Sequence, residues 1–186
     1  MFAVVAHFDT KTEQTINTLW KGLSANSISN HAYEVTDRKP HITIADYLEI
    51  NDEFLLAFKS LYCSKVKIQV EFNMLSTFLN TGTLLLTPTP SKQLIDLHIE
   101  HHASFGEYSN PESLYLPNRW IPHCTIANRL SQTGLIEAFD YCSKHLANLH
   151  SEIVEIAVIK MDYDKNKPVG VSIICSELLS DPENSS

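Results

Sequence analysis

Cysteine is scarce in this sequence, and its usual motifs are missing. The 186 residues include four cysteines, which lie far apart and form no C-x-x-C pair. This spacing argues against a zinc site and against a redox-active dithiol. We therefore expect no metal and no cofactor, and reduced, mostly buried thiols at Cys63, Cys124, Cys142 and Cys175.

Long apolar runs and excess positive charge are also lacking. The run at residues 1–5 is interrupted by His7 and Asp9 before it reaches the length of a signal-peptide core or a membrane span. The sequence therefore predicts a cytoplasmic protein with no membrane partner. The formal net charge is -8, with 14 Lys and Arg against 22 Asp and Glu. That balance argues against a protein that coats long nucleic acid through a broad basic surface.

The apolar content of the chain is sufficient for one hydrophobic core. Hydrophobic residues make up 44% of the 186 positions, and the length suits a single domain. We place this domain at residues 1–179 and expect it to be a monomer. Residues 180–186 lack apolar anchors, so we expect a disordered tail there.

Strand-like and helix-like patterns alternate along the chain. Residues 2–8 form an apolar run of strand length, and an amphipathic helical pattern follows. A strand preceded by proline, a helix capped by Asn51 and an alternating strand complete a first half at residues 1–80. Residues 81–179 repeat this order, with Ser91 as a helix cap. The repeat predicts an α+β fold with two pseudo-symmetric lobes, each having an antiparallel-rich sheet and two helices, and a central cleft between the sheets.

One motif occurs in each half of the chain. Pro-His-x-Thr-Ile-Ala stands at residues 40–45 and again at residues 122–127. In a strand, residues i and i+2 share a face, so His41 and Thr43 point one way, as do His123 and Thr125. The isoleucines between them would face the core. Each copy alone is a weak signal, but two copies in equivalent positions indicate a functional pair.

The looser pattern of histidine, apolar, Ser or Thr, apolar has a third match at residues 102–105. Chance predicts roughly 0.3 matches in a chain of this composition. The third match lies in a predicted helix, where residues i and i+2 do not share a face, so we set it aside. His98, His101 and His102 have helical spacing but no nearby partner ligands, and we expect them at the surface or boundary of that helix.

On these residues the chain resembles the two-histidine phosphoesterase superfamily, specifically its bacterial 2'-5' RNA ligase-like and cyclic phosphodiesterase members. The resemblance covers nearly the whole chain and is most pronounced at residues 116–127. It implies a bilobal α+β fold, with His41, Thr43, His123 and Thr125 as the catalytic set facing the cleft. It also implies substrates with a 2'-linked phosphorus, either a 2',3'-cyclic phosphate or a 2'-5' linkage, on a nucleotide or a short RNA end.

Two imidazoles can supply both proton transfers of phosphodiester cleavage without a metal. One histidine takes a proton from the nucleophile, the other protonates the leaving oxygen, and the threonine hydroxyls hold the non-bridging oxygens. The sequence does not decide which histidine is the acid. It predicts a metal-independent phosphoesterase, with two alternatives: a nucleotide- or RNA-end-binding module without turnover, and an RNA 2'-5' ligase.

Five further residues are candidates for binding substrate. Basic groups near the motifs could hold a phosphate and aromatic groups could stack on a base; these are Arg38, Arg119, Arg129, Tyr115 and Trp120. The alternative for the arginines is solvated surface charge, and for Trp120 it is packing beside its strand. Cys124 lies on the opposite strand face from His123, which favours a buried structural thiol over a nucleophile. His7 ends the first strand and could border the cleft.

Overall fold

The computed structural model describes residues 1–165 and 167–182. Within these ranges the chain forms seven strands and four α-helices, so the α+β prediction is confirmed. None of the described helices has both the length and the apolar character needed to cross a membrane. In chain order the elements are β1 (Phe2–Phe8), α1 (Thr10–Ala25), β2 (His41–Tyr47), α2 (Asp52–Tyr62), β3 (Ile68–Ser76), β4 (Leu84–Pro88), α3 (Lys92–Phe105), β5 (Cys124–Ala127), α4 (Gln132–His145), β6 (Leu149–Asp164) and β7 (Lys167–Leu178).

Side-chain caps fix the starts of the helices, as the sequence predicts. The Asn51 side chain accepts a hydrogen bond of 2.9 Å from the backbone N–H of Phe54. The Ser91 hydroxyl accepts one of 3.2 Å from the backbone N–H of Leu94. Each bond satisfies a donor that the first helical turn leaves without a backbone partner.

The strands pair in the order β2-β1-β6-β3-β4-β5, with β7 also pairing with β6, and all of these pairs are antiparallel. Exchanging β1, β2 and β3 for β4, β5 and β6 gives the same six-strand order read from its other end. This symmetry is consistent with the duplicated halves of the sequence. It relates β2 to β5, and these are the strands that carry the two motifs.

The described strands form one sheet, whereas we expected a separate sheet in each lobe. The third strands of the two halves, β3 and β6, pair with each other and join the halves into one sheet. Their pairing runs from Ile68 opposite Ile153 to Phe72 opposite Leu149. The β6 strand is 16 residues long, which lets its first part pair with β3 and its later part with β1 and β7. Although β2 and β5 lie at opposite ends of the strand order, they are in contact, so the sheet curls and brings its ends together.

The core lies between this sheet and the helices. Ile42, Ile44 and Ile126, the isoleucines of the two motifs, have no exposed surface. Burying an aliphatic side chain of this size stabilises the fold by about 1.5–3 kcal/mol relative to leaving it exposed. The apolar face of each motif strand is therefore anchored in the core, as predicted, and its polar residues point the other way.

The histidines of α3 are buried, so the expectation that they lie at the helix surface or boundary is wrong. His98, His101 and His102 have exposed fractions of 3%, 0% and 9%. His101 lies between the hydroxyls of Tyr47 (2.7 Å) and Tyr62 (3.0 Å). Histidine enters this core because each ring reaches a polar partner, which offsets the cost of removing it from water.

The start of the predicted tail is held by the fold. Ser180 exchanges backbone hydrogen bonds with the 65–67 segment, donating to the Lys65 carbonyl (3.0 Å) and accepting from the Lys67 N–H (2.9 Å). The Lys67 ammonium also contacts the Asp181 carboxylate at 2.5 Å. Residues 183–186 of the predicted tail lie outside the described residues.

Candidate active site

The two motif histidines have the same local geometry. His41 is the first residue of β2, and His123 directly precedes β5, one residue outside the strand in which we expected it. In each ring Nδ1 bonds the backbone carbonyl two residues earlier, of Lys39 and of Ile121, at 2.7 Å in both cases. Because a carbonyl can only accept, Nδ1 must carry the proton. Nε2 is then the nitrogen left for a substrate, in both halves.

A proline lies between each histidine and the carbonyl that it bonds. Pro40 and Pro122 have restricted φ angles, and each also restricts the residue before it to extended conformations. The segment leading into each histidine therefore has few backbone conformations available. This restriction favours the short return bond from the ring to the chain, and it gives the proline of the motif a physical role.

The two motifs meet where the ends of the sheet come together. The Trp120 indole N–H, just before the second motif, donates to the Thr43 carbonyl of the first at 2.8 Å. His41 and Thr125 line the same small hollow of about 50 Å³. The structure therefore brings together the two motifs that the sequence singled out.

Both motif histidines are neutral in the free protein at pH 7. Burial lowers the pKa of His41 to about 4, partly opposed by the carbonyl bond to Nδ1 and assisted by the positive charge of Arg38. Burial also lowers the pKa of His123, again opposed by its carbonyl bond. Two neutral rings with unprotonated Nε2 atoms can accept protons, and one must gain a proton before it can act as an acid.

A cavity of about 310 Å³ opens beside the first motif. His41 and Thr43 line it, together with the predicted substrate-binding residues Arg38 and Tyr115. Burial raises the pKa of the Tyr115 phenol, and a hydrogen bond with the Thr43 side chain opposes that rise. The opposite wall is apolar and comes from β1, β6 and β7, through Ala3, Ile159, Met161, Val171 and Ile173.

Arg38 is held in position by a buried histidine. Its Nη1 donates to Nε2 of His31 at 2.9 Å, and His31 is only 2% exposed. Burial, with repulsion from Arg38, lowers the pKa of His31 to about 3. His31 is therefore neutral and can accept this bond. The contact orients a guanidinium beside His41, where it could meet a phosphate.

The other two arginines lie outside the cavity. Arg119 donates to the Pro111 carbonyl at 3.3 Å, and the exposed Arg129 pairs with Glu34 at 3.6 Å. An exposed pair of this kind contributes little to stability. Neither arginine lines the cavity beside His41, so the geometry matches the alternative of solvated charge for these two residues.

Trp120 and Cys124 have structural environments. The indole of Trp120 stacks on the His98 ring, with centroids 4.0 Å apart and planes 6° apart, and does not line the cavity. This is the packing alternative, and it removes the reason to expect base stacking on that face. Cys124 is buried, and burial raises the pKa of its thiol to about 12, which opposes thiolate formation.

His7 is a cavity residue to which the sequence alone gave little weight. It lies directly opposite His41 in the β1–β2 pair and lines the same cavity. The signal was its place at the end of the first strand, but only the strand register shows which residues it faces. Within the described ranges, no group of three or more His, Cys, Asp or Glu side chains is placed to hold a metal ion.

Comparisons with known proteins give one family and one fold. The family model described as the 2'-5' RNA ligase superfamily matches residues 8–165. None of the curated protein sequences matches the chain significantly.

Solved structures with the same fold include E. coli LigT complexed with 3'-AMP, at a TM-score of 0.66 and 12% identity over 97% of this chain and 98% of LigT. LigT complexed with ATP gives 0.60 and 11% over 97% of each chain. The protein TT0787 of Thermus thermophilus gives 0.63 and 14% over 97% and 98%. At these identities the likeness shows the fold alone. Because the family match spans most of the sequence and includes both histidine motifs, the chain belongs to the 2'-5' RNA ligase superfamily.

Proposed function

We propose that this protein is a metal-independent phosphoesterase that hydrolyses 2',3'-cyclic phosphates or 2'-5' phosphodiester bonds of nucleotides or short RNA ends. The observation that carries the proposal is the matched state of His41 and His123. Both rings commit Nδ1 to a backbone carbonyl at 2.7 Å and keep Nε2 for the substrate. A general acid and a general base need this arrangement on either side of a phosphorus atom.

The reaction requires two proton transfers through the two Nε2 atoms. One histidine takes a proton from water as the water oxygen attacks phosphorus. The other gives a proton to the departing ribose oxygen as its bond to phosphorus breaks. Both rings are neutral in the free protein, and an anionic phosphate nearby favours an imidazolium, so one ring gains its proton when substrate binds.

Thr43, Thr125 and Arg38 are the groups that would hold the phosphate during this displacement. The threonines share strand faces with the histidines, so their hydroxyls can donate to the non-bridging oxygens. Arg38 lines both the cavity and the small hollow beside His41, and its contact with His31 limits its motion. Fixed donors stabilise the charge that builds on these oxygens better than donors that must reorient.

A nucleotide substrate is supported by the cavity and by the relatives. Its volume of about 310 Å³ and its apolar wall suit a nucleoside group placed next to His41. The structures of LigT with 3'-AMP and with ATP show that a protein of this fold binds nucleotides. The natural substrate of this chain is proposed at the level of its chemistry, a phosphorus linked to a ribose 2' oxygen.

Two other functions fit the same site less well. A binding module needs no general acid or base, and here both imidazoles are present with matched geometry. An RNA ligase must hold two RNA ends, and a chain with a formal charge of -8 has weak electrostatic attraction for them. Hydrolysis of a nucleotide or a short RNA end requires the least electrostatic attraction between the protein surface and the substrate.

The test is an assay of the purified protein with excess EDTA, using nucleoside 2',3'-cyclic phosphates and a 2'-5' dinucleotide. We expect turnover of at least one substrate, and its loss in both His41→Ala and His123→Ala. Binding of 3'-AMP without turnover of either substrate would support the binding module instead. Activity that EDTA abolishes and one added metal restores would refute the metal-independent mechanism.

A further inference from the structure

A carboxylate and two histidines lie in one row across three neighbouring strands. In the register of the sheet, His7 on β1 is directly opposite His41 on β2 and directly opposite Glu155 on β6. The His7 and His41 rings meet edge to face, with centroids 6.4 Å apart and planes 81° apart. The row places a third imidazole, and the carboxylate behind it, beside one of the motif histidines.

The bond to Glu155 sets the orientation of His7. Nδ1 of His7 lies 2.8 Å from Oε2 of Glu155. Burial would raise the pKa of Glu155, but hydrogen bonds from Ser176 and His7 outweigh it and lower the pKa. The carboxylate is therefore ionised and only accepts, so Nδ1 carries a proton.

The other nitrogen of His7 is left for a ligand. No described residue forms a hydrogen bond with Nε2, although His7 is only 6% exposed and lines the cavity with His41 and Thr43. The Nε2 atom is open to the cavity rather than enclosed, so water can bond it in the free protein. An oxygen of a bound ligand could take the place of that water.

The pair also makes the two halves of the site different. On the second motif, the ring next to His123 is Phe78, at a centroid distance of 5.2 Å and an angle of 87°. A phenyl group donates no conventional hydrogen bond, so the polar row is specific to the His41 side. A phosphodiester entering between two equivalent histidines therefore meets an additional donor on only one of them.

We propose that His7, oriented by Glu155, is a substrate-binding residue that donates Nε2–H to a non-bridging oxygen of the bound phosphate. This inference rests on the proposed function for its substrate, but not for its geometry. Because Nδ1 already donates to Glu155, donation from Nε2 requires a ring with a proton on both nitrogens, which together with the ionised Glu155 carries no net charge. No covalent bond changes at His7, and proton transfer stays with His41 and His123.

Binding of inorganic phosphate, measured by isothermal titration calorimetry, tests this role without any turnover. His7→Phe removes both nitrogens and should weaken phosphate binding by about tenfold to a hundredfold, the usual value of a hydrogen bond to a charged group. Glu155→Gln leaves the ring but removes its charge partner, and should weaken binding by about threefold to tenfold. His7→Gln keeps an N–H donor and should retain more affinity than His7→Phe.

His150→Phe is the matched control, because it makes the same substitution at an exposed histidine of β6. Its phosphate affinity should equal that of the wild type. Unchanged affinity in His7→Phe, or no phosphate binding by the wild type, would overturn the inference. If His7→Phe does not fold, Glu155→Gln decides in the same way.

The outcomes for His7 and for the reaction can be told apart. Phosphate binding that depends on His7 in a protein without esterase activity would support the inference and refute the proposed function. An active phosphoesterase whose phosphate affinity is the same in wild type and His7→Phe would refute the inference and support the proposed function.

Discussion

Replacing His101 by leucine should lower the free energy of unfolding by several kcal/mol. His101 has no exposed surface, and its two ring nitrogens bond the hydroxyls of Tyr47 and Tyr62 at 2.7 and 3.0 Å. Leucine fills a similar volume but has no nitrogen, so both tyrosine hydroxyls lose their hydrogen-bond partner. Each buried hydroxyl left without a hydrogen bond costs about 1–3 kcal/mol, so the expected loss is about 2–6 kcal/mol.

A triple variant separates the lost hydrogen bonds from simple repacking. Adding Tyr47→Phe and Tyr62→Phe to His101→Leu removes the two unsatisfied hydroxyls, and an apolar replacement of all partners is nearly neutral. The triple variant should therefore regain most of the lost stability. Urea denaturation at pH 7, followed by circular dichroism, measures all three proteins. A single variant within about 0.5 kcal/mol of wild type, or a triple variant no better than the single, would refute this account.

The free energy of unfolding of His101→Leu should be less sensitive to acid than that of the wild type. Burial, with repulsion from His102 and His98, lowers the pKa of His101 far below 6.5. Below pH 6.5 the unfolded chain binds a proton at His101 that the folded chain does not. This contribution to stability is complete above pH 6.5 and is lost as the pH falls, by about 1.4 kcal/mol per unit. Urea denaturation at pH 5 should show a smaller loss in His101→Leu, and equal losses would contradict the explanation.

Three further predictions concern catalysis. The pKa values of His41 and His123 are lowered in the free protein, so kcat/KM should fall about tenfold per pH unit above pH 6.5. Bound phosphate favours the imidazolium, so kcat should peak at a higher pH than kcat/KM does. A kcat/KM that rises steadily to pH 9 would show that no protonated histidine is needed. Thr43→Val and Thr125→Val remove one hydroxyl each at constant volume and should each lower kcat by about one to three orders of magnitude, measured with saturating substrate. A KM effect alone would instead indicate ground-state binding. Trp120→Phe removes the donor to the Thr43 carbonyl and should lower the free energy of unfolding by about 1–3 kcal/mol in urea titrations. It should also lower kcat more than it changes KM. Unchanged stability would show that this bond between the motifs is dispensable.

The features that the sequence predicted well are local ones. The caps at Asn51 and Ser91 depend on a side chain and a backbone N–H three residues away. The inward isoleucines and outward His41 and Thr43 follow from the two-residue period of a strand. In each case the relevant partners are close along the chain, so a short stretch of sequence is enough.

The features that the sequence did not predict depend on long-range register. His7 and Glu155 are separated by 148 positions and meet only because β1 pairs with β6 in one particular alignment. A shift of one residue would move either side chain to the other face of the sheet. Trp120 and Thr43 meet because the ends of the sheet come together, which a pattern of strands and helices does not specify.

The burial of the α3 histidines was predicted wrongly, although one feature of the sequence indicated it. The apolar stripe of this helix includes His98 and His101, and the period of the stripe indicates that they face the core. The usual exposure of polar residues led to the opposite expectation. The tyrosines that bond His101 come from β2 and α2, so its burial could be understood only with those partners in place.

The central claim is that His41 and His123 act together in one displacement at phosphorus. The most direct measurement is the kcat of His41→Ala, His123→Ala and the double variant on one nucleoside 2',3'-cyclic phosphate, with folding verified by circular dichroism. Each single variant should lose about 10²–10⁴-fold, the usual contribution of a general acid or base, and the double variant should be little worse than either. A folded His123→Ala protein with near-normal turnover, or losses that multiply in the double variant, would contradict the two-histidine mechanism.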